Sequence, residues 1–351
     1  MRTGRSLPEL AAEVERRRMG KLDLLADTRE LMLRTGEPGS ELEIGGQGRL
    51  PLRELAHEQI ADHLEIPRRY YGRLRERHRG LFDETVNTLF REAPSRRLVR
   101  ALDGRVRAFL SDRYRRLDHE DLCEAVLPVL GAIPDVSFPS VEVTETHLYL
   151  KAVAPRVSGE VRPGDVVQAG VVISNSEVGM GALVIRPLVF RLVCANGMIV
   201  DDALRRHHVG RHIEVSEGGT LYGDETLRAD DRAFWLKVRD LVGAAVTESR
   251  FASVLDRLRR AAASTEMSDP GGGVRELGRC FGFSVGEQGS VLRHLTLGGD
   301  LTRYGAVNAV TSASQEAPAY DRATELEAVA GSIMDMDVRS WARIAGPGAA
   351  S

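Results

Sequence analysis

Lysine is nearly missing from this chain. Only Lys21, Lys151 and Lys237 are lysines among 48 basic residues, and the rest are arginines. A GC-rich genome produces that bias on its own, so the bias alone assigns no function. Cysteine is as sparse: Cys123, Cys194 and Cys280 are far apart, odd in number and without a CxxC pair. That spacing argues against a disulfide framework and against a structural zinc site. No run of about 18 apolar residues exists, so no membrane-spanning helix is expected. The N-terminal segment lacks the apolar stretch of a secretion signal, and a cytoplasmic protein without a membrane partner is expected. Several catalytic signatures are absent too. There is no GxxxxGK[ST] phosphate loop, GxSxG elbow, HExxH pair or protein-kinase set.

What is present is a chain of 351 residues, 42% hydrophobic, enough to bury the core of one large domain or two. Its net charge of −3 conceals an asymmetry. Residues 64–116 hold fifteen arginines against seven acids, a local excess of eight positive charges. Such a block is either a solvated helical face or a footprint for a polyanion.

Periodicity divides the chain into four parts: an N-terminal helix (1–38), a basic helical region (40–120), an antiparallel sheet with a long helix (121–263) and a helical C-terminal region (274–345). Residues 8–34 read as one amphipathic helix carrying Leu10, Val14, Leu22, Leu25 and Leu31, ended by Gly36 and Pro38. A short strand is expected at Glu41–Ile44. Leu50–His78 reads as two helices broken at Leu64-Glu-Ile-Pro67, the second bearing Arg68, Arg69, Tyr70, Tyr71, Arg73, Arg75 and Arg77. This spacing resembles a helix-turn-helix, and a plain helical hairpin fits it as well.

Ser140–Val153 then alternates as two strands joined at Glu145-Thr146, with Glu142, Thr144, His147, Tyr149 and Lys151 on the polar face. Strands at Val166–Ser174 and Gly181–Cys194 follow, with an irregularity at Arg186-Pro187. These predict a central antiparallel sheet with one covered face, in an α+β fold, its hairpins lying at about 140–194. Arg232–Ala263 reads as the long helix that backs it, and Pro270-Gly-Gly-Gly273 as part of a flexible break. Shorter helices are expected at Val285–Leu297, Tyr304–Ala313 and Tyr320–Trp341.

Two constellations carry candidate chemistry. Asp201, Asp202, His207, His208 and His212 could hold a metal, but Arg205, Arg206 and Arg211 interleave with them. Cationic neighbours disfavour a divalent ion, so a phosphate-facing loop is the better fit and no metal or other cofactor is expected. A nucleophilic Cys194 would need a base that the sequence does not reveal, and a packed thiol is the alternative. The second constellation is basic and aromatic: Arg96-Arg-Leu-Val-Arg100, Arg105-Val-Arg-Ala-Phe109 and Ser111-Asp-Arg-Tyr-Arg-Arg116. Such mixtures bind single strands through phosphate neutralisation and base stacking. Alternatively, Phe109 and Tyr114 are core residues with arginines reaching outward.

Four segments resemble recurring motifs of a phage- and plasmid-like family, domain of unknown function 932. They are Val106–Tyr114 (VRAFLSDRY), Ser174–Gly179 (SNSEVG), Arg191–Met198 (RLVCANGM) and Tyr304–Thr311 (YGAVNAVT). The resemblance covers about residues 40–345 in the family's order and implies a mobile-element setting without an established activity. Such elements often encode annealing recombinases, in which an antiparallel sheet is backed by a long helix. By that analogy the chain is expected to be a non-enzymatic nucleic-acid-binding protein, with single-stranded DNA as partner and annealing or replication as its setting. Arg100, Arg107, Arg113, Arg115, Arg116, Arg205 and Arg206 would hold phosphates, Tyr114 would stack a base, and Tyr149 and Lys151 would line the groove. An open sheet edge predicts a homo-oligomer. The alternatives are a phage structural protein, or an enzyme with an unrecognised site around residues 201–212.

Overall fold

The computed structural model describes residues 1–200 and 224–346, with the side chains of 224–228 and 231 outside the description. Helix α1 (Leu7–Gly20) begins with a capping box in which the Ser6 hydroxyl accepts from Glu9 N–H while the Glu9 carboxylate accepts from Ser6 N–H. It buries Leu10 and Val14 but stops at Gly20, well short of the expected residue 34. The chain continues as strands β1 (Lys21–Asp27) and β2 (Leu31–Thr35). Leu22, Leu25 and Leu31 have helical spacing, yet partners far along the chain take this segment into a sheet.

Strands β3 (Ser40–Ile44) and β4 (Gly48–Pro51) join β2 in one three-stranded sheet. Helices α2 (Glu54–His63), α3 (Arg68–Arg77) and α4 (Arg79–Glu92) follow, the first break falling where expected. Strands β5 (Arg96–Leu102) and β6 (Arg105–Ser111) then pair with β1 in a second antiparallel sheet. Asp103 and Gly104 turn that hairpin with positive φ at both residues, as a tight two-residue loop demands. The basic region is therefore half sheet, with Phe82 and Phe90 of α4 packed on Val99 and Phe109.

Helix α5 (His119–Gly131) leads into a meander of β7 (Ser137–Val143), β8 (Leu148–Glu160), β9 (Val166–Asn175), β10 (Val184–Arg191) and β11 (Asn196–Ile199). They form a five-stranded antiparallel sheet, so the α+β fold and the central hairpins are as the alternation predicts. A bulge between Ala154 and Ser158 absorbs Pro155 and lets β8 run on to Glu160. The sheet is covered on both faces, which corrects the expectation of one. Leu150, Ala152, Val171 and Ile173 pack on α1, α5 and α6 (Asp224–Ala245). Tyr149, Lys151, Val153 and Val172 face the other way, under a helix from the end of the chain.

The backing helix is two helices, α6 and α7 (Glu248–Ala262), because Thr247 takes an extended conformation between them. Then come α8 (Pro270–Phe281), α9 (Val285–Gly298), α10 (Arg303–Ala313), α11 (Tyr320–Met334) and α12 (Val338–Ala345). Pro270-Gly-Gly-Gly273 is the first turn of α8 and not a flexible break. Proline suits that position, and a Cβ on Gly273 would crowd Met267 and the Ile344 carbonyl. Helix α11 lies across the second face of the sheet, so close that a Cβ on Gly331 would overlap the Ile199 carbonyl.

Candidate functional site

Four of the residues expected at a nucleic-acid groove, Arg100, Arg107, Tyr149 and Lys151, lie inside the protein. Lys151 is fully buried beneath α11, 2.6 Å from Glu327, and donates to Thr324 Oγ1. Tyr149, 6% exposed, donates its hydroxyl to Asp321 at 2.8 Å. Burial, with Asp321 adding to it, holds the Tyr149 phenol above its ordinary pKa. The supposed polar groove of the sheet is thus a helix–sheet interface, and these two residues are corrected from groove lining to internal partners of α11.

Arg100 and Arg107 are corrected in the same way. They stand three positions from the Asp103-Gly104 turn on each side and point to the face opposite Phe109. Arg100 is fully inaccessible. It forks onto Asp23 with Nε and Nη2 at 2.9 and 3.0 Å, reaches Asp118 at 2.6 Å, and donates Nη1 to the Glu177 carbonyl. Arg107 donates Nη1 to the Glu177 carboxylate at 2.8 Å, while its Nε and Nη2 have no hydrogen-bond partner. The other Glu177 oxygen accepts from the His119 backbone N–H at 2.7 Å, where α5 starts. Tyr114 donates its hydroxyl to the Ser176 carbonyl at 2.9 Å, so its ring is part of the packing and not a free stacking platform.

The electrostatics of this cluster follow from its dryness. Burial alone would raise the Asp118 carboxyl, but Arg100 and Lys21 hold it down to about 2. Burial would likewise raise Glu177, and the Arg107 charge with the hydrogen bond from the His119 backbone N–H keeps it below the usual carboxylate range. His119, itself buried, is pushed down to about 4 and stays neutral. Three carboxylates answer two guanidinium groups and Lys21, so the cluster is charge-balanced and set to bind two sheets together. It brings together two motif segments that stand far apart in sequence, 106–114 and 174–179.

The other two motif segments also meet. Arg191, at the end of β10, forks onto Asp165 at 2.6 and 2.9 Å, and the same carboxylate accepts from the Tyr304 hydroxyl at 2.8 Å. Asn196 donates to Ser312 Oγ and accepts from Gln315. Arg191, Asn196 and Tyr304, with Asn308 and Thr311, line a pocket of about 20 Å³, room for roughly one water. The family described as domain of unknown function (DUF932) matches residues 108–328. The chain belongs to that family. No curated protein and no solved structure gives a significant match. Each pair of motif segments in this DUF932 protein thus joins elements distant along the chain.

The exposed basic residues lie elsewhere. Arg113 and Arg116 are at the surface, Arg116 standing 3.7 Å from Asp23. Arg115 is half-buried, its guanidinium 4.5 Å from the Phe234 ring centroid. Arg205 and Arg206 fall outside the described residues, as do Asp201, Asp202, His207, His208 and His212. Among the described residues, no group of three or more His, Cys, Asp or Glu is placed to hold a metal ion. Also among them, no helix is long and apolar enough to cross a membrane.

A further basic surface is on α3. Arg69, Arg73 and Arg77 recur every four residues and so share one face, about 6 Å apart along the axis. All three are exposed, and no carboxylate lies within ion-pairing distance of them among the described residues. By contrast Arg68 is held by Glu58 and Asp62, and Arg75 by Glu54. Tyr70, 44% exposed, lies beside the stripe with Arg73 5.1 Å from its ring centroid. Pro67, Gly72 and Glu76 complete an open concavity. Sequence reasoning had this helix in view as a run of arginines. The four-residue spacing places Arg69, Arg73 and Arg77 on one face, while the carboxylates that hold Arg68 and Arg75 lie elsewhere along the chain.

Proposed function

We propose that this DUF932 protein binds nucleic acid, with single-stranded DNA as the preferred partner, through the exposed face of α3. The observation that carries the reading is the stripe Arg69–Arg73–Arg77. Three guanidinium groups without a carboxylate partner among the described residues, on a helix fixed by buried Tyr71 and Leu74, form a preorganised row of phosphate ligands. Tyr70 at its border supplies a ring for a base, and single strands are held by such pairing of cation and aromatic face. Arg113, exposed and without an ion pair among the described residues, extends the track. The buried clusters beneath serve to hold the sheets and helices that present this face.

The test is binding of a fluorescent oligonucleotide across a salt series, comparing wild type with an Arg69→Ala/Arg73→Ala/Arg77→Ala variant. The slope of log K against log salt is expected to flatten by about 2, from about 0.7 per phosphate contact on a single strand. A variant that binds as wild type does, or a wild type that does not bind at low salt, overturns the proposal. Tighter binding to duplex than to single strands would overturn the strand preference alone.

A further inference from the structure

Glu76 is the one acid on the arginine face of α3. It is exposed and, among the described residues, makes no ion pair, although Arg73 stands one turn before it. Residues three apart on a helix face each other, and Arg322 and Glu325 pair in that order here at 2.8 Å. Arg73 lies instead against Tyr70, 5.1 Å from its ring centroid. The carboxylate thus stands open in a concavity of about 650 Å³, shared with Arg69, Tyr70, Gly72 and Arg73. Among phosphate ligands a carboxylate repels the phosphate itself. It accepts hydrogen bonds and donates none, so the group it suits is a neutral donor.

Gly72 lies between Arg69 and Glu76 on the same face, and a Cβ added to it would meet nothing within 4 Å. Packing therefore does not ask for glycine, and an interior glycine weakens a helix relative to alanine. Its missing side chain leaves bare backbone at the floor of the concavity, open to close approach by a flat group. Resting on the reading of α3 as the nucleic-acid face, we infer that this floor seats one base of the single strand and selects a base that bears an amino group. The exocyclic amine meets Glu76, Arg69 and Arg73 hold the flanking phosphates, and the neighbouring base stacks on Tyr70. Cytosine offers its N4 amino group to the carboxylate. Thymine places its O4 oxygen at the same position, so two acceptors face each other with no proton between them.

Oligo-dC and oligo-dT of equal length separate base selection from phosphate binding, because both are pyrimidines on the same backbone. Fluorescence anisotropy with the full chain at neutral pH is expected to show oligo-dC bound about tenfold more tightly. Glu76→Gln should tighten binding of both and bring their ratio to about one. Its amide accepts from N4 and donates to O4 alike, and a negative charge has left the phosphate track. Gly72→Ala should raise the urea midpoint of unfolding and yet weaken oligo-dC binding by about fivefold, toward the oligo-dT level. Equal affinity for the two oligonucleotides overturns base selection. So does a preference that Glu76→Gln leaves intact, or a Gly72→Ala variant that binds oligo-dC as wild type does. Absence of binding to either oligonucleotide at low salt overturns instead the α3 reading beneath it.

Discussion

Replacing Lys151 with methionine tests whether the sheet face beneath α11 is a functional groove or a packed interface. Lys151 and Glu327 are both completely inaccessible and 2.6 Å apart. Its Oε1 has no hydrogen-bond partner among the described residues, and the amine of Met1 is the other positive group acting on it. Removing the ammonium therefore strands a buried carboxylate, which costs about 3–5 kcal/mol. A protein of this size has roughly 5–15 kcal/mol of stability, so the loss is a large fraction of the total. Lys151→Met/Glu327→Leu removes both charges and leaves apolar groups of similar volume against Tyr320 and Val172. That double variant should recover all of the loss, and by analogy with other buried pairs gain about 1–4 kcal/mol over wild type. The coupling between the two positions is the diagnostic quantity. Urea unfolding followed by circular dichroism reads it as a shift of midpoint at constant slope. A single-variant loss under about 1 kcal/mol, or a double variant no better than the single one, would refute the reasoning. It would mean that water or another group reaches Lys151.

Stability should also fall as pH drops from 6.5 toward 4. Burial holds His57, His63 and His119 down to about 4, below the ordinary 6.5, so over that window the unfolded chain binds protons that the folded one refuses. His57 and His119 each contribute up to about 1.4 kcal/mol per pH unit there. Chemical denaturation at several pH values should show this slope flatten in His119→Gln, and an unchanged slope counts against the buried neutral imidazole. Tyr114→Ala should lower stability by about 3 kcal/mol, because the ring packs against Val178 and Leu110 and its hydroxyl bonds Ser176. Oligonucleotide binding by the folded fraction should be unchanged; a stable variant with weakened binding would return Tyr114 to the interface.

The misplaced residues show where reading a sequence stops. Arg100 and Arg113 are the same residue type, thirteen positions apart in one basic block, yet one is fully buried and the other exposed. What separates them is Asp23, whose carboxylate lies 77 positions before Arg100. Lys151 is likewise decided by Glu327, 176 positions on. Residue type reports that a side chain needs a charge partner or water; it does not report which one it finds. The α3 stripe was more accessible to inspection, because four-residue spacing is local. Which of its seven basic and aromatic positions were already paired was not local.

Local period fixed much of the rest. Alternation at 140–153 specified the first central antiparallel hairpin, and Pro67 marked the α2–α3 break, since these depend on neighbours two to four positions away. Residues 21–35 could not be read that way. Leu22, Leu25 and Leu31 suit a helix, and only pairing with β5 and β3 makes them strands. Covering the second sheet face required α11, more than a hundred residues beyond the sheet. The sequence by itself thus determined the elements whose hydrogen bonds and apolar stripe are local. Tertiary structure alone decided which charges are buried, because desolvating an arginine or lysine is tolerable only where a distant carboxylate meets it.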